Sequence, residues 1–91
     1  MNETVIHGAM IASLRERIAA GETVDDLGRN IWVVLAALLC KRAELSDDEE
    51  QALADGREAL ALLTDRAGDG DEEAAAVAAV MVRHVPELGV A

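Results

Sequence analysis

Two histidines and one cysteine are the residues of this sequence best suited to bind a metal ion. His7, Cys40 and His84 each lie on the apolar face of a predicted helix. In an up-down bundle the three side chains would lie at one end, where they could contribute to a tetrahedral zinc site. Their spacing matches no metal-binding motif, so two packed histidines and a buried structural cysteine are the favoured interpretation. We predict no metal and no cofactor.

The segment DRAGDGDEE, residues 65–73, has the acids and glycines of a calcium-binding loop but not its spacing. With Asp65 as the first ligand, Gly70 falls correctly, but Ala67 and Ala76 occupy two ligand positions. A glycine-rich turn before a helix is the simpler interpretation. No Ser-His-Asp or Cys-His arrangement suggests a catalytic triad, and no glycine-rich phosphate loop follows a predicted strand. We predict that the protein is not an enzyme.

Two acidic clusters could form a surface for a basic partner. Their members are Asp47, Asp48, Glu49, Glu50, Asp69, Asp71, Glu72 and Glu73. A protein that mimics nucleic acid would need these charges in one continuous row. Antiparallel helices place the clusters at opposite ends of a bundle, and acids also stabilise the positive N-terminal ends of helices. Solvated helix ends are therefore the simpler interpretation of both clusters.

The composition indicates a small helical domain, 1–91, with an acidic surface. The chain has 91 residues, a net charge of −10, 52% apolar residues and one aromatic residue. The charge argues against binding a nucleic-acid backbone or an anionic membrane. The apolar run 31–40 is too short to span a bilayer. The single cysteine and the absence of a signal-like N-terminus predict a cytoplasmic protein. Abundant alanine and arginine are typical of a bacterial or phage gene.

Capping residues and helix breakers predict four helices, over 3–20, 24–43, 47–67 and 72–85, with a short tail at 86–91. Thr23 is a candidate N-cap for the second helix, and Ser46 with Glu49 forms a capping box for the third. Asp71 is a candidate N-cap for the fourth helix, and Pro86 prevents its continuation. Short connections make sequential helices antiparallel neighbours. The predicted fold is all-α, a small up-down four-helix bundle.

The second predicted helix is apolar on two sides. Its main face consists of Val24, Leu27, Ile31, Val34, Leu35 and Leu38. A second surface, predicted as an interface, consists of Trp32, Val33, Ala36, Leu39, Cys40 and Ala43. Either this helix is internal and covered by the other helices, or a second copy of the chain covers the second surface. We favour the homodimer because symmetric dimers are the commonest oligomers and tryptophan is a frequent interface anchor.

The sequence predicts a non-catalytic helical protein-protein interaction module: a small adaptor, regulator or inhibitor that forms a homodimer through the second helix. The alternative is an acidic inhibitor of phage or immunity type that blocks a basic site on a nucleic-acid-binding protein. A third hypothesis is a small metal-binding protein that uses His7, Cys40 and His84. The expected partners are a second copy and a basic protein, with no direct contact to nucleic acid or membrane.

Overall fold

A computed structural model describes residues 3–89, which fold into four α-helices and a final 3₁₀ turn. The helices are α1 (Glu3–Ala19), α2 (Ile31–Leu45), α3 (Glu49–Gly68) and α4 (Glu72–His84), followed by the 3₁₀ turn Pro86–Gly89. One isolated bridge, between Val24 and Asn30, is the sole β pairing of the described range. The all-α prediction is confirmed. Residues 90–91 of the predicted tail lie outside the described range.

Helix α2 begins seven residues later than predicted. Asn30 is its N-cap, because the Asn30 side-chain oxygen accepts hydrogen bonds from the backbone N–H groups of Trp32 and Val33. The preceding segment is a loop held by Asp25, whose side chain accepts hydrogen bonds from the backbone N–H groups of Leu27 and Arg29. Aspartate side chains can bind nearby backbone in this way and so compete with helix formation. The predicted start at 24, with Thr23 as cap, is therefore wrong.

Helices α3 and α4 are each preceded by an aspartate that serves as the N-cap. Asp48 accepts hydrogen bonds from the backbone N–H groups of Glu50 and Gln51, so Asp48 replaces Ser46 as the cap of α3. Asp71 caps α4 through the backbone N–H of Ala74, as predicted. Both caps satisfy N–H groups that have no partner within the helix. Local sequence signals therefore define these two starts to within two residues.

Helix α2 is the central element, and it packs against α1, α3 and the beginning of α4. Helix α3 packs against α4, whereas no Cα atom of α1 lies within 8 Å of α3 or α4. The chain is correspondingly flat, with dimensions of 33 × 33 × 18 Å. The helices are packed together but form an open arrangement, because α1 and α4 are not neighbours as they would be in a closed four-helix bundle.

The core combines Ile31 and Leu35 of the predicted main face of α2 with two residues of the surface predicted as an interface. Ala36 and Leu39 are 1% and 0% exposed, whereas Val24 and Leu27 are 48% and 75% exposed in the loop before α2. The apolar core is Ile11, Leu14, Ile31, Leu35, Ala36, Leu39, Ala59, Leu63 and Ala74. Assigning Val24 and Leu27 to the core was wrong because the loop turns them outward.

A buried ion pair joins α2 to α3. The guanidinium of Arg42 donates two hydrogen bonds to the carboxylate of Asp55, at 2.7 and 2.9 Å, and Gln51 donates a third at 3.1 Å. The side chain of Asp55 is 2% exposed. These bonds satisfy a charge that would otherwise be costly to bury. The hydrogen bond from Arg42, opposed by burial, holds the pKa of Asp55 below its usual value.

Gly56, in the interior of α3, lies at a close approach to the C-terminal turn. A Cβ atom at Gly56 would lie 2.9 Å from a terminal methyl group of Leu88. The neighbour is thus the C-terminal 3₁₀ turn rather than another α-helix. Since the end of a leucine side chain can move, this contact tolerates small changes better than a contact with backbone would.

Candidate interaction surface

One side of α2 is only partly covered, between α1 and α4. The backbone gap between these two helices exposes a shallow groove of about 610 Å³. Its floor is formed by apolar residues of α2, with one residue of α1 and one of α4 at its edges. Three residues of the loop before α2 complete the lining. We call this the α2 groove and define it by its full lining: Met10, Gly28, Arg29, Asn30, Val33, Val34, Ala37, Leu38 and Glu73.

A second groove, of about 470 Å³, lies between α1 and the loop before α2. Leu14, Arg17 and Leu27 line it, and it shares Met10 and Val34 with the α2 groove. Met10 is 46% exposed. The shared residues make the two grooves adjacent, and the exposed Leu27 lies in the second one.

Asn30 attaches the start of α4 to the start of α2. While its oxygen caps α2, its side-chain nitrogen donates a 2.8 Å hydrogen bond to the carboxylate of Asp71. The backbone N–H of Ala74, followed by this bond, holds the pKa of Asp71 below its usual value. The connection keeps Glu73, in the first turn of α4, at the edge of the α2 groove.

Asp25 fixes the loop that carries Leu27. Its carboxylate is 7% exposed and accepts hydrogen bonds from two backbone N–H groups and from the guanidinium of Arg29. Burial is the largest single influence and raises the pKa of Asp25, but these hydrogen bonds together outweigh it and leave the pKa below its usual value. Leu27 is therefore presented on an ordered turn rather than on a loose loop.

Replacing Asp25 with alanine should release this turn. We expect the free energy of unfolding to fall by about 2 kcal/mol, because two backbone donors and Arg29 lose a charged acceptor. Amide exchange at Leu27 and Arg29 should accelerate. The control is Asp26→Ala, since the Asp26 side chain is 90% exposed and its ion pair with Arg17 lies at the surface. Equal effects of the two substitutions would contradict the assigned role of Asp25.

The predicted interface is mostly covered by the chain itself. Ala36 and Leu39 belong to the core, so neither can contact a second copy. The guanidinium carbon of Arg66 lies 3.7 Å from the ring centre of Trp32, in a cation–π contact that covers one face of the half-buried ring. The remaining members are half-buried, and they are Val33, Cys40 and Ala43. Of these three, Val33 lines the α2 groove.

The structure does not bring His7, Cys40 and His84 together as a metal site. His7 and His84 lie on helices that are not neighbours, and Nδ1 of His84 is 3.0 Å from the carbonyl oxygen of Val80. Across the described residues, no three His, Cys, Asp or Glu side chains are placed to hold a metal ion. Burial, together with the negative charges of Glu44 and Asp55, raises the pKa of the Cys40 thiol. At neutral pH this favours the weakly nucleophilic thiol form.

The two acidic clusters remain far apart. One begins α3 and the other begins α4, and the 20 residues of α3 between them span about 30 Å. Within the clusters, Asp48 and Asp71 are engaged as helix caps. Each cluster is therefore a separate helix-end surface in one chain. Of the eight acids in the two clusters together, Glu73 lines the α2 groove.

Most positive charge is neutralised within the chain. The sequence has 18 acidic and 8 basic residues. Six of the basic residues form ion pairs, and they are Arg15, Arg17, Arg29, Lys41, Arg42 and Arg66. In residues 3–89, Arg57, Arg83 and Glu73 have no ion pair. The charge left over around the molecule is thus predominantly negative.

Fold and surface together define an open all-helical arrangement with one apolar groove between α1 and α4. Comparisons with protein-family models, curated proteins and solved structures find no match to this chain. Within residues 3–89, no helix combines the length and apolarity needed to cross a bilayer.

Proposed function

We propose that this protein is a non-catalytic interaction module whose docking surface is the α2 groove. The observation that carries the proposal is an apolar stripe between two helices that do not meet, in which Ala37 is exposed and Val33, Val34 and Leu38 are half-buried. Contiguous exposed apolar surface on a small protein commonly marks a binding site. Grooves between helices bind amphipathic helices through apolar residues spaced at three and four positions. An adaptor, regulator or inhibitor would work through such a surface.

The chemistry of the groove supports binding rather than catalysis. Its floor is aliphatic, and Arg29 at its rim is paired with Asp25 at 2.7 Å. Aliphatic side chains contribute to affinity through their burial, at about 25 cal/mol per Å² of apolar surface removed from water. In a complex, a partner would cover the exposed part of Met10, which is 46% exposed, and the remaining exposed surface of the half-buried Val34 and Leu38.

Homodimerisation is the second candidate mode, with the groove as the interface in place of the surface predicted around Trp32. Light scattering at micromolar concentration distinguishes the two modes for the chain of 9.6 kDa. A dimer has twice that mass, and Ala37→Arg should return it to the monomer, because Ala37 is exposed on the groove floor. A dimer that survives this substitution would place its interface elsewhere.

The docking function is tested by pull-down from a lysate of the native host. Three untagged proteins serve as immobilised baits: the wild type, Ala37→Arg and Ala61→Arg. Ala61 is exposed on α3, so Ala61→Arg introduces the same side chain and the same charge outside the groove. A partner that depends on the groove is retained by the wild type and Ala61→Arg and lost from Ala37→Arg. Identical retention by all three proteins would reject the groove as the docking surface.

The alternative of an acidic inhibitor uses different residues. Such an inhibitor would engage its target through the exposed acids at the start of α3 or α4 rather than through the apolar floor. If the acids at the start of α3 bind the target, Glu49→Lys with Glu50→Lys would weaken the complex more than Ala37→Arg does. If those at the start of α4 bind it, Glu72→Lys would do so. The comparison separates an electrostatic inhibitor from a helix-docking module.

A further inference from the structure

We propose that the α2 groove takes an amphipathic α-helix with basic residues along its polar flanks. This rests on the proposed docking function and adds the chemistry of the partner. The apolar floor would bind the apolar stripe of the partner helix. The negative charge around the groove would favour basic residues on either side of that stripe.

The charges at the groove edges favour a cationic partner. Arg29 is paired with Asp25, and Arg17 in the adjoining groove is paired with Glu22 and Asp26. On the α4 side, Glu73 lines the groove without an ion pair, and Glu72 beside it is exposed. The negative charge of these two carboxylates is larger than the roughly half positive charge at the N-terminal end of α4, where they lie. The free charge at this edge is therefore negative.

The length of the floor fits a short helical segment. Asn30 to Leu38, which both line the groove, are eight residues apart on α2 and therefore span about 12 Å. Two turns of a partner helix cover this distance, enough for apolar anchors at the first, fourth or fifth, and eighth positions of a segment. Lysine or arginine beside these anchors would lie near Glu73.

A second copy of the chain is a poorer match in charge. Each copy carries a net charge of −10. In residues 3–89, Arg57 and Arg83 are the two basic side chains without an ion pair, so a copy has few cations to place beside Glu73. Like charges across an interface oppose association, whereas complementary charges favour it. The observations thus favour a basic helix over self-association.

The test uses two synthetic peptides that share one leucine and alanine stripe and differ in their polar positions, lysine in one and glutamate in the other. Calorimetric titration of the whole protein should show binding of the lysine peptide, with the glutamate peptide weaker by about tenfold or more. Ala37→Arg should lower the affinity for the lysine peptide by about tenfold. Ala61→Arg makes the same change in net charge, and its affinity for this peptide should stay within about twofold of the wild-type value.

A charge reversal gives a second, independent measurement. Glu73→Lys should weaken binding of the lysine peptide and strengthen binding of the glutamate peptide. Glu50→Lys, at the start of α3, makes the same change in net charge away from the groove and should alter both affinities less. Helical content measured by circular dichroism checks that each variant remains folded.

The outcomes separate this inference from the docking function. Lysine-peptide binding that is equal in Ala37→Arg and Ala61→Arg would be general attraction to an acidic protein and would overturn the inference. Equal binding of both peptides, lost in Ala37→Arg, would overturn the basic partner but leave the docking function intact. Absence of peptide binding overturns the inference, and a dimer abolished by Ala37→Arg would then assign the groove to a second copy.

Discussion

Leu39→Ala should lower the free energy of unfolding by about 3 kcal/mol, whereas Leu27→Ala should change it by less than about 0.5 kcal/mol. The leucine at 39 is fully buried and contributes to the core between α2 and its neighbours, while Leu27 is 75% exposed. Truncating a buried leucine loses apolar transfer energy and leaves a cavity that the surrounding side chains fill incompletely. The two variants remove the same atoms, so the difference in burial accounts for most of the difference in stability.

Chemical denaturation followed by circular dichroism provides the measurement. For a chain of this length the larger effect lowers Tm by more than about 10 °C. The pair also decides between the sequence-based assignment and the structure, since the sequence pattern places Leu27 in the core and Leu39 at a dimer interface. A large loss of stability in Leu27→Ala with little in Leu39→Ala would contradict the face of α2 that the structure buries.

Asp55→Asn should lower the free energy of unfolding by about 2–3 kcal/mol. The substitution preserves shape but removes the charge that Arg42 binds, and breaking a buried ion pair leaves the other charge uncompensated. The effect falls below the upper range for such pairs because Arg42 keeps 21% of its side-chain surface in water. Urea denaturation of the two proteins measures the difference.

The control for Asp55→Asn is Glu58→Gln on the same helix. Glu58 also binds an arginine through two carboxylate oxygens, at 2.6 and 2.7 Å from Nη2 of Arg15. The two side chains are 39% and 46% exposed, so the pair is solvated and its loss should cost less than about 1 kcal/mol. Equal losses in the two variants would show that burial does not distinguish these pairs.

The pH dependence of stability tests the same ion pair. Because the pKa of Asp55 is lowered in the folded protein, its stabilising effect is complete above the unfolded value of about 3.9 and is lost as the pH falls through the folded value. Stability of the wild type should therefore fall with acidification below about pH 4. Asp55→Asn should show a shallower slope in that window, and an unchanged slope would contradict the lowered pKa.

Local sequence signals predicted the helical class and most helix boundaries. Asp71 as the cap of α4 and the end of that helix before Pro86 are both confirmed. Such signals are readable because a cap or a proline acts on backbone groups within one helical turn. The prediction failed at α2 because Asp25 binds backbone N–H groups within its own loop, and this competes with the helical interpretation of the same aspartate.

The order of residues shows that α2 is apolar on more than one side, but it does not show which neighbour covers each side. Helical periodicity groups Leu35 with Ile31 and Leu39 with Ala36, yet it contains no information about the positions of α1, α3 and α4. Tertiary packing decided that Leu39 and Ala36 are buried within the chain, that Arg66 covers Trp32, and that Val34 and Leu38 line a groove. The reason is physical: an apolar stripe gains free energy from any surface that covers it, so only the complete fold selects which surface does so.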